Sequence, residues 1–182
     1  MNEREIKRIS KFLSLLLRHN PGKINLSLDA NGWANIDELI QKSQKHVKFS
    51  MTDLEYVVTN NDKQRFSFNE DKTKIRANQG HSLKNINLEL QSIAPPPFLY
   101  HGTVAKFMAN IRETGLQKMS RQHVHLSKDV ETAIKVASRR GKPIILSIRT
   151  GEMHAKGYDF YRSENGVWLT DNVPTAFIDF KA

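Results

Sequence analysis

The stretch Pro95-Pro96-Pro97-Phe98-Leu99-Tyr100-His101-Gly102-Thr103 divides the chain into two halves of different character. Three successive prolines lack N–H donors and hold φ fixed, so they neither continue a helix nor sit inside a sheet. An apolar strand leaves this stiff segment and ends in His-Gly-Thr. A glycine there lets a backbone approach a ligand closely or turn sharply. The imidazole on one side of it and the hydroxyl on the other can hold polar ligand atoms.

Downstream, the spacing predicts a helix over about 105–114, with Phe107, Met108 and Ile111 on its apolar face and Gly115 closing it. Arg121-Gln122-His123 leads into a strand, Val124-His125-Leu126. Ser127 or Asp129 caps a second helix that turns Ala133, Ile134, Val136 and Ala137 inward and ends at Arg139-Arg140-Gly141. Strands over 144–148, 158–161, 167–170 and 176–180 complete a mixed, strand-rich half.

Upstream, residues 78–97 lack long periodicity and read as a linker holding one short strand at 86–90. Before it, Ile6, Ile9, Phe12, Leu13, Leu16 and Leu17 form one apolar stripe over 3–19, stopped by Pro21-Gly22. Ile24, Leu26 and Leu28 alternate with polar residues as in a short strand, and Trp33 is expected in the core. Asn35 with Glu38 resembles a capping box opening a helix to about Lys45. Ser50 can cap another helix, burying Leu54, Val57 and Val58, and a hairpin follows around Asn69-Glu70-Asp71. Helix, strand, helix, helix, hairpin is the winged-helix order. The outward side of the helix at 50–59 carries Thr52, Asp53, Glu55 and Tyr56 but no arginine, which does not suit groove reading of DNA.

The 182 residues hold 28 Lys+Arg against 19 Asp+Glu, a formal charge of +9. That sign favours polyanions such as nucleic acid, nucleotides or phosphorylated substrates. The absence of cysteine excludes a disulfide framework, a thiolate nucleophile and a cysteine zinc site. No apolar run has the length of a membrane span, and Met1–Glu5 lacks the apolar core of a signal peptide; a cytoplasmic monomer is expected. Neither a Walker-type loop nor Gly-x-Gly-x-x-Gly occurs, which argues against an ATPase or a Rossmann dehydrogenase.

His123 and His125 lie two apart on a strand and with His101 could form a three-histidine zinc site. No carboxylate falls in that strand, and strand histidines more often pack or hydrogen-bond, so no metal is expected. Ser127 lacks a nucleophile elbow around it and reads as a cap or a ligand hydroxyl. Arg18, His19, Arg65 and Arg121 each begin or end a regular element, where a side chain can project into a cleft. A guanidinium fork matches two phosphate oxygens and stays charged. Taken singly, each of the four reads better as a solvated surface cation.

Seven segments together resemble the NAD-dependent RNA 2′-phosphotransferases of the KptA type. They are Leu13-Ser14-Leu15-Leu16-Leu17-Arg18-His19-Asn20-Pro21, Asp29-Ala30-Asn31-Gly32-Trp33-Ala34, Lys63-Gln64-Arg65-Phe66-Ser67, Ile75-Arg76-Ala77-Asn78-Gln79-Gly80-His81-Ser82, Leu99-Tyr100-His101-Gly102-Thr103, His123-Val124-His125-Leu126-Ser127 and Glu164-Asn165-Gly166-Val167-Trp168-Leu169-Thr170. They run in the family's order and span nearly the whole chain. The resemblance implies an α+β protein with an N-terminal winged-helix lobe (1–78), a linker (79–97) and a C-terminal lobe of ADP-ribosyltransferase fold (98–182).

The resemblance also implies an activity. An internal RNA 2′-phosphate, as left by some tRNA ligation routes, attacks the nicotinamide-ribose carbon of NAD⁺. The ADP-ribose 2″-hydroxyl then attacks that phosphorus, freeing 2′-hydroxyl RNA and ADP-ribose 1″,2″-cyclic phosphate. The family's Arg-His-Arg-Arg set falls on Arg18, His19, Arg65 and Arg121. Its NAD-clamping residues fall on His101, Gly102 and Thr103, with His125 and Ser127 beside them. His19 suits the proton donor of the second step, since imidazole titrates near neutral pH. Protein-modifying relatives place a glutamate at the start of the strand that here begins at Val167; its absence fits an anionic acceptor. The alternatives are ADP-ribose capping of terminal nucleic-acid phosphates and a non-catalytic winged-helix binder.

Overall fold

In the computed structural model, which describes residues 1–180, helix α1 (Glu3–Arg18) opens the first of two units, Met1–Glu89. The final two positions of the region expected at 98–182 lie outside the described residues. Asn2 and Glu5 cap α1 reciprocally, side chain to backbone in both directions. Its stripe of Ile9, Phe12, Leu13, Leu16 and Leu17 is buried as the periodicity predicts.

The expected strand over 24–28 is absent. Pro21–Ile24 form a 3-10 turn, Asn25 is left-handed at φ 52°, and the Leu26 amide bonds back to the Pro21 carbonyl at 3.0 Å. Ile24 and Leu26 are buried, so their alternation reports burial, while the backbone satisfies itself locally instead of joining a ladder.

Strand β1 (Ala34–Asn35) precedes α2 (Ile36–Ser43) and α3 (Met51–Thr59), and β2 (Phe66–Phe68) and β3 (Lys74–Ala77) form the hairpin. The sheet runs β1-β3-β2, antiparallel throughout. Asn35 caps α2 through the Glu38 amide at 2.9 Å, but the Glu38 carboxylate turns to the Ser27 amide and Lys42, so the box is half formed. Ser50 and Asp53 complete theirs. Trp33 is half-buried, and the Arg76 guanidinium lies 4.5 Å from its ring centroid. The core gathers Leu13, Leu16, Leu17, Leu39, Leu54, Val57, Phe66 and Ile75. Residues 78–89 pack on this unit: His81 and Ile86 are buried, and the Asn87 amide bonds the Ala30 carbonyl. No strand forms at 86–90.

The second unit, from Leu90 onward, contains β4 (Leu99–Thr103), α4 (Ala105–Thr114), β5 (Leu116–Gln117), β6 (Val124–Leu126), α5 (Val130–Ala137), β7 (Ile144–Ile148), α6 (Thr150–Ala155), β8 (Tyr161–Arg162), β9 (Trp168–Thr170), β10 (Asn172–Val173) and β11 (Ile178–Asp179). Its antiparallel sheets run β11-β7-β4, β6-β9-β8 and β10-β5. A single bridge, Tyr100 to Ser127, ties β4 to the end of β6. Leu99, Leu126, Leu146, Ile148, Met153 and Phe160 are fully buried.

Several expectations change in this unit. The strand expected over 158–161 is confined to β8, Tyr161–Arg162, and β5 and β10 are additional strands. Helix α6 was not anticipated; it is six residues long and anchored from outside, Thr150 Oγ1 and the Gly151 amide donating to the Pro96 and Pro97 carbonyls at 2.6 and 3.0 Å. The segment 176–180 begins as a 3-10 turn before β11. Phe107, Ile134 and Val136 are exposed, and α5 buries only its alanines, Ala133 and Ala137. The chain is thus a mixed α/β protein of α+β class, and no described helix is long and apolar enough to cross a membrane.

Candidate active site

In the first unit the end of α1 and the start of β2 carry the basic residues. Arg18 closes α1, its guanidinium carbon 6.0 Å from the Phe66 ring centroid, and His19 is the C-cap, exposed. Arg65 precedes β2 and is half-buried; burial lowers its pKa, opposed by Asp62, yet an arginine remains charged. The loop leaving β3 joins these positions. The Asn78 amide donates to the Arg65 carbonyl at 2.9 Å and Asn78 Nδ2 to the Gln64 carbonyl at 2.7 Å. Four residues on, the Ser82 amide donates to the Arg18 carbonyl at 2.9 Å, and Ser82 Oγ lies 3.0 Å from His19 Nδ1. Arg18, His19 and Arg65 are therefore tied to one segment, 78–82.

His81, inside that segment, is 1% exposed, and neither ring nitrogen has a hydrogen-bond partner among the described residues. Burial, then the charges of Arg18, His19 and Arg76, push its pKa down to about 4. The unfolded chain takes up this proton near pH 6.5, the folded one only near 4. The stability contributed by a neutral His81 is therefore complete above about pH 6.5 and lost as pH falls toward 4, by up to roughly 3 kcal/mol. Urea unfolding at stepped pH should show that loss in the wild type and a shallower one in His81→Asn; equal slopes would assign the acid sensitivity to other groups.

In the second unit β4 and β6 carry the remaining candidates. His101 Nδ1 lies 3.1 Å from the His125 carbonyl, so Nδ1 holds the proton and Nε2 is the acceptor. Burial lowers the His101 pKa against the opposing bond to the His125 carbonyl, and Arg140 adds to the lowering. Arg121 Nη1 donates to His125 Nδ1 at 3.2 Å, which leaves the His125 ring proton on Nε2. Desolvation and then Arg140 lower the Arg121 pKa. Arg140 is the residue sequence reasoning missed. Its signal, the basic pair before Gly141, read only as a helix end, yet its charge reaches both His101 and Arg121.

Ser127 exchanges backbone bonds with Tyr100 at 2.9 and 2.7 Å, and the cap of α5 is Asp129. His123 packs its ring on Tyr161, 5.5 Å between centroids, so the three histidines are engaged separately. Thr103 is buried at the end of β4.

Gly102 lies inside β4, and its close approach is to protein: a Cβ there would meet the Ala133 carbonyl oxygen at 2.1 Å. Its polar groups point elsewhere. Tyr100 spends its N–H and C=O on Ser127, so by the antiparallel alternation Gly102 directs its own away from β7, along the edge where pairing is a single bridge. That edge presents an adjacent donor and acceptor next to two imidazoles and two arginines.

The comparisons with known proteins cover nearly the whole chain. A family model described as RNA 2′-phosphotransferase, Tpt1 / KptA family, matches residues 3–172. A protein of Flavobacterium johnsoniae named "Probable RNA 2′-phosphotransferase" is 60% identical, covering 100% of both chains. Namesakes from Fusobacterium nucleatum and Acaryochloris marina are 56% and 51% identical, covering 95% and 96% of this chain and 97% of their own. With so continuous a match, the chain belongs to the RNA 2′-phosphotransferase, Tpt1 / KptA family.

Proposed function

We propose that the protein removes an internal 2′-phosphate from RNA by transferring it to NAD⁺, through an ADP-ribosylated RNA phosphate, yielding 2′-hydroxyl RNA, ADP-ribose 1″,2″-cyclic phosphate and nicotinamide. Beyond family membership, one observation carries the NAD⁺ assignment: the N–H and C=O of Gly102 form the donor–acceptor pair that a primary carboxamide complements. His101, Gly102, Thr103, His125 and Ser127 would hold the dinucleotide. When bound, it supplies an electrophilic ribose carbon with nicotinamide as leaving group.

The chain's own residues handle phosphate and protons. A phosphate dianion is already a nucleophile, so no general base is needed to start. Arg18, Arg65 and Arg121 hold it by charge without protonating it. The second step needs a proton for the departing RNA 2′-oxygen, and His19 donates it. Three helices with a three-stranded antiparallel sheet, whose last two strands form the hairpin, support a winged-helix reading of the first unit. Two three-stranded sheets joined at one bridge support an ADP-ribosyltransferase-like reading of the second. A spliced tRNA bearing a 2′-phosphate at its junction is the substrate class this chemistry suits, met by a monomer in the cytoplasm.

The test is nicotinamide release. It should require both NAD⁺ and an oligoribonucleotide with an internal 2′-phosphate, and stop with the unphosphorylated strand. Phosphate loss that proceeds without NAD⁺ would overturn the reading.

A further inference from the structure

We infer that Ser82 is a positioning residue that fixes the tautomer of His19, placing the exchangeable proton on Nε2; this rests on the function proposed above. Ser82 Oγ has two neighbours, His19 Nδ1 at 3.0 Å and the Arg18 carbonyl at 3.4 Å. A carbonyl only accepts, so in the arrangement that uses both contacts the hydroxyl proton goes to Arg18 and the oxygen accepts from His19. In that arrangement His19 carries hydrogen on Nδ1. In its neutral form Nε2 is the basic nitrogen, and in its charged form Nε2–H is the donor available to a substrate oxygen.

The hydroxyl is well placed to enforce this. The Ser82 amide grips the same Arg18 carbonyl at 2.9 Å, which fixes the residue against the end of α1. Gly80 turns the chain at φ 87°, His81 is buried beside it, and Asn78 ties the other end of the segment to Gln64 and Arg65. His19 itself is exposed, and the contact with Ser82 Oγ orients its ring. A donor must sit within hydrogen-bond reach of the oxygen it protonates. Ser82 supplies that orientation while taking no part in the chemistry.

The experiment is ¹⁵N NMR of His19 in the full chain, paired with single-turnover kinetics of Ser82→Ala and Ser82→Thr. The wild type should show Nδ1 protonated in neutral His19, with the pattern lost in Ser82→Ala and restored in Ser82→Thr. Ser82→Ala should release nicotinamide at the wild-type rate yet accumulate ADP-ribosylated RNA, its second step slowed about tenfold, less than the roughly 10²–10⁴ that a general acid contributes. Ser82→Thr should recover most of that rate. A wild-type spectrum with Nε2 protonated and Nδ1 bare overturns the inference without any variant. So does a Ser82→Ala enzyme whose two steps slow equally, or neither. The spectrum needs no substrate, so if 2′-phosphorylated RNA triggers no nicotinamide release, the proposed function fails while the Ser82–His19 link is still decided.

Discussion

Replacing Gly102 with alanine is expected to lower the melting temperature of the second unit by about 10–20 °C. The added methyl would lie 2.1 Å from the Ala133 carbonyl oxygen, 2.9 Å from its carbon and 2.9 Å from Ala137 Cβ. The first two are helix backbone and cannot rotate aside. Strand β4 cannot retreat easily either, because all five of its residues are registered against β7. Forcing a methyl into a packed interior costs about 1–3 kcal/mol, occasionally more, and each kcal/mol shifts Tm by roughly 4–8 °C in a domain of this size. Adding Ala137→Gly removes one of the contacts but not the carbonyl, so the double variant should melt within a few degrees of Gly102→Ala. Thermal unfolding by circular dichroism checks both. A single variant melting like the wild type would show that α5 moves away at little cost.

That glycine also marks where sequence patterns stop being informative. In α1 the stripe of Ile9 to Leu17 repeats at helical spacing, and the buried face follows from it. In α5 the same logic favours Ile134 and Val136, yet both are exposed and Ala133 and Ala137 are buried. The helix is chosen for closeness, not hydrophobicity: only small residues fit against a strand that has a glycine at 102, and nothing within 130–137 says so. Helix α6 depends likewise on the carbonyls of Pro96 and Pro97, some fifty residues earlier.

The candidate site divides in the same way. Arg18, His19, Arg65 and His101 could be singled out because motif segments bear them. Ser82 could be quoted in a motif but given no role, because its meaning is a bond across 63 positions to His19. Arg140 has no motif at all, and its influence on His101 and Arg121 arises only once α5 is folded against β4 and β7. The resemblance nominates residues; distances and parity along β4 show what they can reach.

Arg65→Ala is expected to lower kcat by about 10²–10³, the cost of removing one preorganised donor from a developing anion, while leaving unfolding free energy unchanged or slightly raised. The second half of that expectation comes from burial. The Arg65 guanidinium is half-buried, and desolvation lowers its pKa more than Asp62 raises it, so the fold itself does not recompense the charge for leaving water. A cation held in that condition is used by an anion that arrives, and its loss relieves the fold. The backbone bond from Asn78 to the Arg65 carbonyl survives the substitution, so β2 keeps its place. Arg65→Lys retains charge without the two-pronged fork and should fall between alanine and wild type. Turnover of 2′-phosphorylated RNA and urea unfolding measured on the same preparations separate the possibilities. Wild-type turnover in Arg65→Ala would exclude the residue from the site. A loss of activity matched by a loss of about 2 kcal/mol or more in stability would make it a structural cation, since burying an unpaired charge is what a purely structural role would have avoided.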